Sequence, residues 1–165
     1  MRFNIYATQI DNLILREEDL YQQHGKNRYY GAEAEWIASL NSNTDLQVAL
    51  SYVDALDDNN NALPDIANFL ANATFLYDFS SGFTSGSVLK YVSARKRMDG
   101  DTRSDLDGYL LFDETLTYQY DALSVSASIK NLFDEQYAYP APPDTYAKDY
   151  PRLGRTAFLS AKWEF

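Results

Sequence analysis

Several residue types are rare or missing in this sequence. Its 165 residues include no cysteine, one histidine, seven glycines and five prolines. The lack of cysteine excludes disulfides and cysteine-ligated metal sites. No apolar run approaches the roughly 18 residues that a transmembrane helix needs. The chain could therefore enter a membrane only as part of a closed β-barrel, whose strands satisfy one another's backbone groups.

The amino-terminal residues lack the continuous apolar segment of a secretory signal peptide, because polar residues follow Phe3 at once. We therefore expect either that the chain is not exported or that its true beginning is missing. Basic residues are also scarce: 14 Lys and Arg face 24 Asp and Glu, for a net charge of −10. Such a chain has no basic surface for phosphates, so we expect no nucleic-acid partner.

Candidate metal and catalytic residues are few. His24 is the only imidazole and has no ligand or nucleophile pattern around it. The oxygen-rich segment 54–61 lacks the spaced glycine and the terminal glutamate of an EF-hand. We therefore expect no cofactor, no bound metal and no enzymatic activity.

Aromatic residues are abundant. Fourteen Tyr, nine Phe and two Trp make up 15% of the chain, yet its mean hydropathy is −0.44. This combination is typical of strands with one apolar and one wet face. Alternation of apolar and polar residues recurs about eight times and predicts strands near residues 2–14, 28–40, 45–56, 66–79, 83–95, 107–120, 122–132 and 154–165.

The predicted connections alternate in length. Short turns fall at 41–44, at 80–82 and around Asp121, whereas long polar loops fall near 15–27, 57–65, 96–106 and 133–153. Strands that run toward the short turns end in aromatics, as Trp36, Tyr77, Tyr120 and Trp163 illustrate. Short periplasmic turns, long extracellular loops and an aromatic girdle are typical of outer-membrane β-barrels. This pattern favours an all-β, antiparallel transmembrane sheet over a β-sandwich.

Two predicted strands are irregular. Segment 83–95 has polar residues on both faces, and Glu114 falls on the apolar face of segment 107–120. A charge that faces lipid is costly, so we expect a bulge or a position close to a loop.

Specific motifs then identify a resemblance. The segment SASIKNLFDEQY at 126–137, the Gly154-Arg155-Thr156 triplet and a last strand that ends at Phe165 resemble the C-terminal end of a TonB-dependent outer-membrane receptor. The segments 31–35, 51–52 and 63–65 also resemble that family, in its usual order. The resemblance covers essentially the whole chain.

The resemblance implies a 22-stranded barrel in the outer membrane of a Gram-negative bacterium, with a plug domain in its lumen. It implies active uptake of a scarce nutrient such as a ferric siderophore, driven by the TonB system through the plug. About eight strands correspond to the last third of such a barrel. We therefore expect residues 1–165 to be one C-terminal barrel region, with no counterpart of the plug or the signal peptide.

The resemblance and the loops also suggest roles for particular residues. We expect lipid, lipopolysaccharide and the barrel-assembly machinery as partners, with Trp163 and Phe165 as the assembly signal. Proline-stiffened aromatics in the last loop suit ligand recognition. The predicted ligand contacts are Tyr137, Tyr139, Tyr146, Tyr150, Arg97 and Arg103. The family motif residues, for which we predict structural roles, are Asn131, Leu132, Phe133, Asp134, Gly154 and Arg155.

Two other architectures remain open at the level of sequence. When isolated, the strands could form an open curved sheet or a small closed barrel that acts as a pore or an adhesin. A soluble β-sandwich binding module is the other alternative.

Overall fold

A computed structural model describes residues 1–17, 20–142 and 146–165. The regular structure of this part of the chain is entirely β. No helix in it is long and apolar enough to cross a membrane. The strands are β1 (Arg2–Glu17), β2 (Leu20–Asn41), β3 (Thr44–Leu56), β4 (Phe69–Asp78), β5 (Phe83–Val92), β6 (Tyr109–Tyr120), β7 (Leu123–Lys130), β8 (Ala138–Tyr139), β9 (Tyr150–Pro151) and β10 (Thr156–Trp163).

The eight long strands form one antiparallel sheet in the order β1-β2-β3-β4-β5-β6-β7-β10, and β8 and β9 form a separate small ladder. Among the described residues, β1 pairs only with β2 and β10 pairs only with β7. Both outer edges are therefore free, and the sheet is not closed. This confirms the open-sheet alternative rather than the small closed barrel. The topology is a single meander, not the two packed sheets of a sandwich.

The strand register separates the two faces of the sheet. Leu159, Ala161 and Trp163 of β10 lie opposite Ala127, Val125 and Leu123 of β7, which places them all on the apolar face. On this face Leu159 is 79% exposed and Trp163 is 61% exposed. Few apolar side chains are buried, because the sheet is one layer of wall rather than a layer packed over a core.

The opposite face is polar, and its side chains bond across the strands. Thr115 and Thr117 hydroxyls lie 2.9 and 2.8 Å from those of Ser128 and Ser126. Lys130 Nζ lies 3.1 Å from Asp113 Oδ2. These pairs satisfy polar groups on a wet surface, as the alternation predicted.

The structure corrects the prediction at three places. Residues 15–17 and 20–27, predicted as a loop, continue β1 and β2 as a paired ladder. The last strand ends at Trp163 instead of Phe165, although the Glu164 N–H still donates to the Ala122 carbonyl at 3.0 Å. Glu114 pairs with Ser87 in an unbroken register to β5, so the expected bulge is wrong; on its other side it is the first residue of β6 that pairs with β7, opposite Ile129.

Candidate functional site

Two long loops meet at the end of the sheet opposite the short turns. The β5–β6 loop spans 93–108, and the last loop spans 131–155 between β7 and β10. Because β5, β6, β7 and β10 are consecutive neighbours in the sheet, the two loops leave it side by side.

Four charged side chains, the rim cluster, join these loops: Arg97, Asp101 and Arg103 from the β5–β6 loop and Asp149 from the last loop. The Arg97 guanidinium binds Asp149 in bidentate fashion, with Nη1 3.0 Å from Oδ1 and Nη2 2.5 Å from Oδ2. Arg103 donates from Nε to Asp101 Oδ1 at 2.9 Å and from Nη2 to Oδ2 at 2.6 Å. Longer contacts close the ring, 3.8 Å from Arg97 to Asp101 and 3.7 Å from Arg103 to Asp149.

The rim cluster is largely shielded from solvent. The side chains of Arg97 and Asp101 are 6% and 5% exposed, and those of Arg103 and Asp149 are 19% and 20% exposed. Hydrogen bonds from the Arg103 guanidinium lower the pKa of Asp101 to about 2. Hydrogen bonds from Arg97 likewise lower the pKa of Asp149. Both carboxylates are therefore ionised at any physiological pH.

Arginines of the β5–β6 loop also bind the backbone of the last loop. Arg103 Nη2 donates to the Ala141 carbonyl at 2.8 Å, and Arg95 Nη2 donates to the Ala138 carbonyl at 2.9 Å. The Ala141 N–H donates in turn to Asp149 Oδ1 at 3.3 Å. Side-chain bonds to backbone fix the path of a segment that has little regular structure of its own.

Four tyrosines of the last loop, the tyrosine group, lie around this framework: Tyr137, Tyr139, Tyr146 and Tyr150. Pairing of β8 with β9 sets Tyr139 opposite Tyr150. The Tyr146 and Tyr150 rings stack at 5.9 Å between centroids, and Tyr137 packs on Tyr109 at 4.5 Å. The Arg152 guanidinium lies 4.6 Å from the centre of the Tyr139 ring. Tyr139, Tyr146 and Tyr150 nevertheless remain 39%, 51% and 46% exposed.

The structure brings together all six residues predicted as ligand contacts, but in two different environments. The rings of Tyr139, Tyr146 and Tyr150 are exposed, and that of Tyr137 is half-buried against Tyr109. The guanidiniums of Arg97 and Arg103 are already bound to carboxylates and carbonyls. Asp101 and Asp149 are not among the residues predicted from the sequence. The sequence signal that could have found them is that unassigned carboxylates occur in the same two loops as the selected arginines and tyrosines.

Candidate metal ligands were also compared with the structure. Within residues 1–17, 20–142 and 146–165, no group of three or more His, Cys, Asp or Glu side chains is placed to hold a metal ion. The side chain of His24 lies outside the described residues.

The family motif residues form the corner where the chain leaves β7. Asn131 adopts a φ of 51°, and its side chain bonds both ways with Glu135: Nδ2 donates to the Glu135 carbonyl and Oδ1 accepts from the Glu135 N–H, each at 2.9 Å. The Leu132 N–H donates to the Phe112 carbonyl at 2.7 Å, and the exposed Phe133 ring lies 5.7 Å from the Phe112 ring. An asparagine tolerates this left-handed backbone better than most residues do.

The same corner receives the chain where it returns to β10. The Asp134 carboxylate accepts a hydrogen bond of 2.7 Å from the Arg155 N–H. A Cβ at Gly154 would lie 2.5 Å from Asp134 Oδ1. The glycine therefore allows the close approach that makes this bond, which connects two residues 21 positions apart in sequence.

Trp163 and Phe165 lie at the other end of the sheet, beside the short turns. Phe165 follows the last strand and is fully exposed. These two residues make no contribution to the loop region, and their predicted role in barrel assembly stays a prediction.

Comparisons with known proteins agree with this architecture. A family model described as TonB-dependent receptor-like, β-barrel, matches residues 1–132. The chain is 22% identical to the ferric-catecholate import receptor Fiu from E. coli K12, in its closed form, with a TM-score of 0.81. It is 19% identical to the ferric yersiniabactin uptake receptor FyuA from Yersinia pestis, with a TM-score of 0.85. It is 18% identical to the ferripyoverdine receptor of Pseudomonas aeruginosa bound to ferripyoverdine, with a TM-score of 0.81.

These three alignments cover 99% of this chain but only 25%, 27% and 24% of the receptors. The chain therefore spans about a quarter of their length. No curated protein sequence matches it significantly.

Proposed function

Because this chain belongs to the TonB-dependent receptor β-barrel family, we propose that it forms part of the wall of an active transporter for a scarce nutrient such as a ferric siderophore. Proteins of this family lie in the outer membrane of Gram-negative bacteria, and so does this one. The two faces of the sheet are consistent with the wall of an outer-membrane barrel, in which the apolar face contacts lipid and the polar face lines a water-filled lumen.

The proposal includes several partners. Lipid would contact the apolar face, and lipopolysaccharide would surround the wall at the level of the loops. The barrel-assembly machinery would read Trp163, at the end of the last strand, and Phe165, two residues after it. The TonB system would act only through a plug domain, and we propose no catalytic role for the chain.

The exposed but immobilised tyrosine group carries the ligand-binding part of the proposal. Tyr139, Tyr146 and Tyr150 present ring faces to solvent, yet a strand ladder, ring stacking and the Arg152 contact hold them. Rings that are already fixed lose little conformational entropy when a planar ligand stacks on them. Each such contact contributes about 0.5–1.5 kcal/mol beyond its buried area.

The rim cluster supports this site indirectly. The ion pairs of Asp149 with Arg97 and Arg103 connect the last loop to the β5–β6 loop, which is anchored on both sides by the sheet. Arg97 and Arg103 then act mainly by positioning the loop. Their guanidiniums could take a direct part in binding only by exchanging a carboxylate for an anionic group on the ligand.

A binding titration tests the proposal. Purified protein in detergent micelles is titrated with a ferric catecholate and a ferric hydroxamate siderophore, and quenching of intrinsic fluorescence gives the Kd for each. Loss of the stacked pair in the double variant Tyr146→Ala, Tyr150→Ala is expected to weaken binding of the accepted siderophore about tenfold, because about 1.4 kcal/mol is lost.

Tyr21→Ala is the matched control. Tyr21 is a 78% exposed tyrosine on β2, at the other side of the sheet from the last loop. Its loss should leave the Kd unchanged. Equal affinity in the double variant would refute the role of the tyrosine group, and failure of both siderophore classes to bind would refute the siderophore proposal.

A further inference from the structure

The apolar face carries two belts of aromatic side chains. A short-turn belt contains Tyr77, Phe79, Phe83, Tyr118 and Tyr120, with the Phe83 and Tyr118 rings 4.4 Å apart. A loop-side belt contains Tyr52, Phe69 and Tyr91, with Tyr52 opposite Phe69 and the Phe69 and Tyr91 rings 6.0 Å apart. Aromatic girdles of this kind mark the two interfaces of the lipid band.

Counted along β5 and β6, Glu114 lies midway between these belts. It is four residues from Tyr118 of the short-turn belt and four from Leu110, which pairs with Tyr91 of the loop-side belt. Four strand residues span about 13 Å, so Glu114 is about 10 Å from either interface after strand tilt is allowed for. That depth is close to the middle of an apolar band about 25 Å tall.

The Glu114 side chain is on the lipid-facing side, because it shares the apolar face with its register partners Ile129 and Ser87. Ser85 and Ser87 donate hydroxyl hydrogen bonds to its two carboxylate oxygens, at 2.6 and 2.5 Å. We name these three residues the outer carboxylate patch. The hydroxyls orient the carboxylate but bring no positive charge to it.

The patch has no counter-ion in the described part of the chain. The nearest basic side chain on a neighbouring strand, Lys130, belongs to the polar face, where it pairs with Asp113. Between the two belts, Glu114 is the sole ionisable side chain that the described strands place on the apolar face. An unpaired carboxylate at this depth is costly, and such residues in membranes pair with a partner of opposite charge.

We propose that the outer carboxylate patch is a docking site for a membrane-embedded segment of another protein that presents a lysine or arginine. Charge complementarity selects this occupant. Lipid chains offer no cation at this depth. A second copy of this chain has no basic side chain between the belts of its described apolar face. The site is separate from the extracellular loops and does not depend on ligand uptake.

Photo-crosslinking in native outer membranes tests this inference. A photoreactive phenylalanine derivative replaces Leu116, which is 43% exposed and pairs with Ser85 on the same face. The matched control position is Leu50, which is 40% exposed on the same face of β3. We expect a protein adduct from position 116 and not from position 50. Mass spectrometry should identify the crosslinked membrane segment of the partner, and that segment should contain a lysine or an arginine.

Charge dependence separates docking from mere proximity. Glu114→Gln keeps an acceptor for the serine hydroxyls but removes the charge, and it should lower the adduct yield roughly tenfold. Heat-modifiable mobility on electrophoresis checks that the variant is folded. If it is not, neutralising the basic residue of the crosslinked partner tests the same charge pair with this chain unchanged. The proposal would be overturned if the only adducts were with lipid or with a second copy of this chain. It would also be overturned if the adduct yield stayed the same after either charge is removed.

Discussion

Asp149→Asn is the substitution expected to release the last loop from the β5–β6 loop. The aspartate is the only member of the rim cluster that the last loop contributes, and it accepts two hydrogen bonds from Arg97. An asparagine keeps the size of the side chain. However, it places an amide N–H₂ donor against a guanidinium donor and removes the negative charge.

The magnitude follows from the surroundings of the pair. A hydrogen bond to a charged group contributes about 1.5–3 kcal/mol, and breaking a fully buried ion pair costs more. Arg97 is 6% exposed, but Asp149 is 20% exposed, and Arg97 keeps a bond of 2.6 Å to the Ser104 carbonyl. We therefore expect a loss of about 2 kcal/mol, which raises the fraction of undocked loop about 30-fold.

Hydrogen exchange measures this opening directly. Amide exchange followed by mass spectrometry, with the protein in detergent micelles, should accelerate about 30-fold for the β8–β9 ladder. Peptides from β7 and β10 should exchange as in the wild type, because their ladder does not pass through the rim cluster.

Asp99→Asn provides the control for net charge. Asp99 is an exposed carboxylate of the β5–β6 loop outside the rim cluster. It should leave exchange unchanged. Equal exchange of the β8–β9 ladder in Asp149→Asn and Asp99→Asn would refute the conclusion that the ion pair holds the last loop in place.

Three further outcomes are expected. The pKa of Asp101 is about 2 in the folded state, below its unfolded value of about 3.9. The ionised Asp101 therefore stabilises the folded state fully above about pH 4, and this contribution is lost as the pH falls toward 2. The near-UV circular dichroism of the tyrosines should therefore stay constant from pH 7 to about pH 4 and decline only below it; a decline near pH 6 would contradict this. Gly154→Ala forces a Cβ against Asp134 and should lower the free energy of unfolding, measured by urea denaturation, by about 1–2 kcal/mol. In the control Gly86→Ala the nearest atom to the new Cβ is 3.4 Å away, so the free energy of unfolding should change little. Phe165→Ala should lower the heat-modifiable folded fraction severalfold if the assembly machinery reads this residue, and a normal folded fraction would show that it does not.

Much of the wall could be predicted from sequence because its pattern is local. In a strand, side chains alternate between faces with a period of two, so Leu159 and Trp163 reveal the apolar face without knowledge of any neighbouring strand. The alternation fails where polarity is similar on both faces. That is why residues 15–17 and 20–27 were predicted as part of a loop, although their backbone pairs as a ladder.

The loop region was only half predictable. Tyrosine and arginine are recognisable as candidates for binding, so the six selected residues do meet in space. The sequence does not say which carboxylate an arginine will find. Arg97 pairs with Asp149, 52 residues away, because the sheet order sets β5, β6, β7 and β10 side by side.

Sequence alone determined the alternation of faces, the aromatic ends of the strands and the position of the turns, since each depends on neighbours within a few residues. It also determined that a carboxylate occurs on the apolar face at Glu114. Only the tertiary structure decided that this carboxylate accepts hydrogen bonds from two serines of the adjacent strand. The pairing of strands also joined the corner of Asp134 to Gly154 and closed the rim cluster between two loops. Those contacts depend on register between strands, and register is a property of the whole sheet.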